Sequence, residues 1–126
     1  MKRFFTLLTI GTILSSFVVF SGIDDVITAL KTGNSSEMAR YFDNTVEISM
    51  PDKSNDYSKS QAELVLKDFF SSNPVKGFTL IHKGENSGSQ YAIGTLVTKT
   101  SSYRTTMFMK QKGDKQVLQK ITFENK

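Results

Sequence analysis

The chain holds a single histidine, His82, and no cysteine, so any proton shuttle must be built from one imidazole together with carboxylates, phenols and hydroxyls. One imidazole is too few for a zinc site of two or three histidines within one chain, and no metal or organic cofactor is implied by the remaining residues. In the string FTLIHKG, strict alternation puts His82 on the same side as Phe78 and Leu80, turned toward the apolar face near a strand end. There it would serve as a general acid or base. The plainer reading, a half-buried histidine bonded to a neighbouring backbone group, is favoured because no partner accompanies it at a fixed spacing. Asp43, with Tyr41 and Tyr57, offers the carboxylate and phenols that can move a proton next to a carbonyl. Asp43, however, directly follows a predicted helix and is more simply a turn or cap residue. Serine is abundant, yet neither a G-x-S-x-G elbow nor an S-x-x-K set with its partner motifs occurs. Gly84, Gly88 and Gly94 do not spell a phosphate-binding loop; the first two bracket a hairpin and the third sits inside a strand, where it permits a bend.

The elements that must position these groups follow from periodicity. Ile23, Val26, Ile27 and Leu30 fall on one helical stripe, with Asp24 and Asp25 in the first turn, Lys31 in the last and Gly33 as the stop. Asn34 and Glu37 are spaced as a capping box for a second short helix carrying Met38, Ala39, Tyr41 and Phe42. TVEISM (45–50) alternates as a strand, and PDKSNDY (51–57) holds turn formers without apolar periodicity and is predicted to be a loop. Ser58 and Gln61 form another capping-box spacing ahead of the main core helix, whose Ala62, Val65, Leu66, Phe69 and Phe70 share a face and which ends before Asn73 and Pro74. Beyond it the period becomes two. Strands are predicted over 77–83, 90–99, 103–112 and 116–124, with connections too short for a crossover helix, hence antiparallel. The order ααβαββββ defines an α+β domain with helices on one face of a curved antiparallel sheet.

At 126 residues there is room for one domain. Lys2 and Arg3 precede an uncharged run from Phe4 to Phe20, and the small residues Ser21 and Gly22 follow. This pattern predicts a signal peptide over residues 1–21 and a single domain over 22–126. The run falls short of the roughly 20 apolar residues that cross a bilayer. Without cysteine there is neither a lipid-attachment thiol nor a disulfide, so the expectation is an exported protein of the periplasm or the extracellular space, held by its apolar core and without a membrane anchor after cleavage. The formal charge is +4, but without Lys2 and Arg3 the balance is 14 cations against 12 anions. The remaining lysines are scattered, not gathered into the basic stripe that nucleic acid requires, so no nucleic-acid partner is expected.

Two surfaces follow from assigning the strand faces. If Tyr91, Ile93, Val97, Phe108, Val117, Ile121 and Phe123 face the helices, then Phe69, Phe70, Phe78, Tyr91 and Phe108 are positioned to line a small apolar pocket beneath the long helix. The opposite face then displays Leu96, Tyr103, Met107, Met109 and Leu118, too apolar a set for water alone. That face is expected to dock a second copy of the chain or another protein, while the pocket would take a small apolar ligand.

The strings VITALKTGNSSEMARYF, YSKSQAELVLKDFF, NPVKGFTLIHKG and YAIGTLVTKTSSYRTTMFMK, in this order of elements, resemble a bacterial domain-of-unknown-function family. The most specific pieces are the Phe69-Phe70 pair, the Asn73-Pro74 stop, Phe78 and His82-x-Gly84. The resemblance spans nearly all of the chain beyond the leader. It implies a small exported protein of Gram-negative bacteria with the nuclear transport factor 2-like fold, a cone with a pocket between long helix and sheet. That superfamily includes isomerases, dehydratases, dimerisation modules and binding proteins, and fold alone does not choose among them. The expected function is therefore a non-catalytic binding or interaction module. Its rival is a proton-transfer enzyme of the isomerase or dehydratase type using His82 or Asp43, which requires two titratable groups to converge on one pocket.

Overall fold

The computed structural model describes residues 22–126; the predicted leader lies outside the described residues. Helix α1 (Gly22–Lys31) places Ile23, Val26, Ile27, Ala29 and Leu30 in the core. It ends where Gly33 adopts φ +64°, a left-handed turn that a Cβ would strain. Helix α2 (Ser35–Ala39) is capped by Asn34, whose side-chain oxygen accepts the Glu37 N–H at 3.0 Å. It is shorter than expected, because Phe42 already opens strand β1 (Phe42–Ser49). Helix α3 (Lys59–Ser72) starts on the full Ser58–Gln61 capping box and buries Ala62, Leu66 and Phe70 at i, i+4 and i+8.

The segment predicted to be a loop contains a strand, β2 (Ser54–Ser58), paired antiparallel with β1. Its residues carry no apolar alternation because β2 is an edge strand with only Tyr57 half-buried; backbone bonds to β1 hold it in place. Strands β3 (Val75–Asn86), β4 (Ser89–Thr98), β5 (Ser102–Lys112) and β6 (Lys115–Asn125) form the expected antiparallel meander. The six strands run in the order β2-β1-β6-β5-β4-β3, and β1 lies parallel to β6. The sheet is thus curved and covered by helices on one face as expected, with an added strand and one parallel pair.

The faces of β4 and β5 are the reverse of those predicted; on β6, Ile121 and Phe123 face the helices as expected, while Val117 and Leu118 exchange sides. Leu96, Met107, Met109 and Leu118 are fully buried and Tyr103 nearly so, all on the helix-covered face. Tyr91, Ile93 and Val117 are only half-buried and Phe108 is 37% exposed, on the bare face. Apolar content alone misassigns β4 because the helix-covered side carries its small residues. A Cβ on Gly94 would lie 2.3 Å from the Phe78 ring and 2.4 Å from the Thr79 carbonyl oxygen, so the close approach of neighbouring groups, not hydrophobicity, decides this face. A bulge accounts for the split on β6. In β6, Leu118 pairs with Met109 and Lys120 with Phe108, leaving Gln119 as an extra residue, so that Leu118, Ile121 and Phe123 all point inward.

At the far end of α3, Asn73 joins helix to sheet. Its side-chain oxygen accepts from Thr100 Oγ1 at 2.9 Å and from the Tyr103 phenol at 3.2 Å, while its amide nitrogen donates to the Phe69 carbonyl at 3.0 Å. The Phe69 ring packs at 4.6 Å from Phe123 and 5.3 Å from Tyr103. Phe123, fully buried in this cluster, stabilises the fold by about 1.5–3 kcal/mol.

Candidate functional site

Strand β3 positions His82, and a bulge decides where it points. Leu80 pairs with Gly94 and His82 with Ile93, so Ile81 is an extra residue and the alternation slips by one. His82 therefore lies on the bare face, exposed, instead of on the apolar side with Phe78. Its Nε2 sits 2.9 Å from the Tyr91 hydroxyl. The Tyr91 ring reaches it by lying across Gly84, where a Cβ would meet that ring at 2.6 Å. The sequence feature His82-x-Gly84 is thus the seat of a tyrosine, a signal that spacing alone did not disclose.

Asp43 opens the irregular part of β1, where the register with β6 shifts between Phe42 and Glu47. Its carboxylate accepts from Lys112 Nζ at 2.9 and 3.2 Å, from Gln119 Nε2 at 2.9 Å and from the Asn44 N–H at 2.8 Å. The hydrogen bonds from Gln119 and Lys112 hold it below the ordinary aspartate range. A carboxylate stabilised by so many donors is a poor base, and it ties the β5–β6 hairpin to β1. Three strands separate β1 from β3, on the order of 19 Å at ordinary strand spacing. His82 and Asp43 therefore do not form one acid–base pair.

Tyr41 lies elsewhere, donating to Asp25 Oδ2 at 2.9 Å. Burial and that hydrogen bond raise its phenol above the usual value. Tyr57 sits on edge strand β2 within hydrogen-bonding range of Asn55, at 3.4 Å. Neither joins Asp43 in a shared cluster.

The five expected pocket residues are divided between the faces: Phe69, Phe70 and Phe78 pack inward, while Tyr91 and Phe108 lie outside. Leu66, Leu96, Met107 and Phe123 are fully buried, and of the five only Phe69 lines a hollow beside α3, an open one of about 360 Å³ shared with the β1–β2 connection. The expected interface residues Leu96, Tyr103, Met107, Met109 and Leu118 belong to that core. A cavity of about 270 Å³ occurs at a different place, where α1 begins beside the α2–β1 junction and the β5–β6 turn. Gly22, Phe42, Gln116 and Val117 line it, with the Tyr41–Asp25 pair in its wall. Among the described residues no group of three histidine, aspartate or glutamate side chains is arranged to hold a metal ion, and no helix is long and apolar enough to cross a membrane.

The bare face is built in rows by the strand registers. One row runs Glu47, Lys120, Phe108, Tyr91, and the next Ser49, Thr122, Thr106, Ile93, His82. Lys120 Nζ stands 3.5 Å from Glu47 Oε2, and Arg104 is paired in register with Glu124.

A six-stranded curved sheet carrying three helices on one face defines a nuclear transport factor 2-like domain. An NTF2-like protein of unknown function from Cytophaga hutchinsonii superposes with a TM-score of 0.62 over 86% of this chain and 93% of its own, at 8% identity. The family model described as a domain of unknown function, DUF4783, matches residues 23–124, and the chain belongs to that family. A DUF4783 family protein from Bacteroides uniformis is 31% identical, with a TM-score of 0.79 over 82% of this chain and 95% of that one. Another, from Bacteroides fragilis, is 33% identical, with a TM-score of 0.77 over 81% and 96%. No curated protein matches the chain.

Proposed function

We propose that this chain is an exported interaction module, without catalysis of its own, that pairs with a second copy of itself through the bare sheet face. The observation that carries this reading is the strip of Tyr91, Ile93 and Phe108 on the central strands, left uncovered by any described helix. Aromatic and aliphatic groups at the centre of a surface with charges around them have the composition of an interface core and rim. A symmetric dimer requires a surface complementary to itself. This one carries both signs, Glu47 with Lys120 on one flank and Arg104 with Glu124 on another, so two copies related by a two-fold axis can match acid to base around the apolar centre. The rival enzyme lacks its starting point, because His82 stands exposed on the bare face with three strands between it and Asp43, which is itself held by Lys112 and Gln119. Delivery by the leader over residues 1–21 would put the module in the periplasm or outside the cell.

Sedimentation velocity tests the dimer. The wild-type chain should sediment as a dimer at micromolar concentration, and Phe108→Glu should shift it to monomer with its circular-dichroism spectrum unchanged. A monomeric wild type, or a dimer indifferent to both Phe108→Glu and Ile93→Lys, would overturn the proposal.

A further inference from the structure

We propose that the cavity at the start of α1 binds a small organic anion, a carboxylate carried on a single ring or short hydrocarbon body. It lies at the α1 end of the molecule and is lined by none of Tyr91, Ile93 and Phe108, so it stands or falls independently of the dimer.

The charged residues around the cavity favour an anion. Arg40, Lys59 and Lys115 line it, against Asp25 and Asp114. Asp25 is already occupied as the acceptor of the Tyr41 hydroxyl. Arg40 leans on Glu37 through one guanidinium nitrogen at 3.4 Å, which leaves the rest of its planar donor array for a carboxylate. Among the described residues neither the Lys59 nor the Lys115 ammonium meets a carboxylate. Lys59 is also badly placed for the fold itself. It is the first residue of α3, whose first turn holds no acidic side chain, and a cation there opposes the helix dipole. An anion held at the cavity would turn that unfavourable position into a favourable one.

The remaining lining sets the body of the ligand. Phe42 and Val117 supply an apolar wall, while the Tyr41 phenol, kept protonated by its burial and by Asp25, adds no competing charge. About 270 Å³ lies just under the roughly 300–1,000 Å³ of sites for drug-sized molecules, which suits a ligand of one ring.

Proton–nitrogen correlation NMR on the isotope-labelled full chain tests the site, with benzoate and hexanoate as probes and benzamide as the neutral control. Benzoate or hexanoate should saturably shift the amides of Arg40, Tyr41, Phe42 and Val117 and leave those of Ile93 and Thr106 in place. Benzamide should bind at least about tenfold more weakly. Lys59→Gln and Lys115→Gln, both at exposed positions, should each weaken the acid probe several-fold with the spectrum otherwise folded, and Lys59→Arg should retain binding. The proposal is overturned by equal binding of benzamide, by indifference to both glutamine substitutions, or by the absence of local shifts with either acid up to roughly 10 mM, where even a millimolar Kd would register.

Discussion

The two faces of one sheet divide the work of this molecule. The helix-covered face is dry and close-packed, with Met107, Met109, Leu118 and Ile121 fully buried under α1 and α3. The bare face sets Tyr91, Ile93 and Phe108 among Glu47, Thr106, Lys120 and Thr122, and these three keep part of their surface in water. On β4 alone hydrophobicity does not tell the faces apart, because its large Tyr91 and Ile93 stand on the bare side. What separates them there is how near neighbouring groups come: on the covered side a Cβ at Gly94 would collide with the Phe78 ring and the Thr79 carbonyl oxygen, while the bare side seats the Tyr91 ring over Gly84.

The strongest way to break this comparison is to place the same charge on each side. Met107→Lys buries an ammonium with no partner and should destabilise the fold by on the order of 4 kcal/mol or more, enough to abolish the cooperative transition in chemical denaturation. Ile93→Lys, on the bare face, should change stability by no more than about 0.5 kcal/mol while weakening self-association. Similar losses of stability for both would erase the distinction.

Glycine substitution sharpens it at intermediate scale. Gly94→Ala drives a Cβ against the Phe78 ring and the Thr79 backbone oxygen, and backbone yields little, so a loss of about 1–3 kcal/mol is expected in thermal melts. Gly77→Ala meets nothing within 4 Å and should be neutral or stabilising by up to about 1 kcal/mol through the unfolded chain.

The smallest effect lies where the hairpin β5–β6 is tied to β1. The lowered pKa of Asp43 means that its contribution is complete above the unfolded aspartate value, roughly 3.9, and is lost as pH falls through its lower folded value. Asp43→Asn should therefore be less stable than wild type at neutral pH, with the gap closing on acidification. Urea denaturation at a series of pH values reads this directly, and a gap that widens in acid would contradict the assigned role.

Much of the architecture was legible from local pattern. The stripe of Ile23 to Leu30, the Ser58–Gln61 capping box, the Asn73-Pro74 stop and the four-strand meander are all decided by residues within a few positions of one another. Strand β2 was illegible because an edge strand held by its backbone bonds needs no apolar signature. The candidate chemistry was misplaced for a related reason. Strict alternation carried His82 to the apolar side, and one extra residue at Ile81 sent it to the other; Gln119 did the same for Leu118.

By itself, then, the amino-acid order determined the three helices and every strand but β2, because capping and periodicity act between near neighbours. Only the tertiary structure decided which side of the sheet is covered, where the strands bulge, that β1 lies parallel to β6, and that a cavity opens at the α1 end. Those choices rest on contacts between residues far apart in the chain, such as Gly94 with Phe78 and Asp43 with Lys112, whose spacing along the sequence carries no period to read.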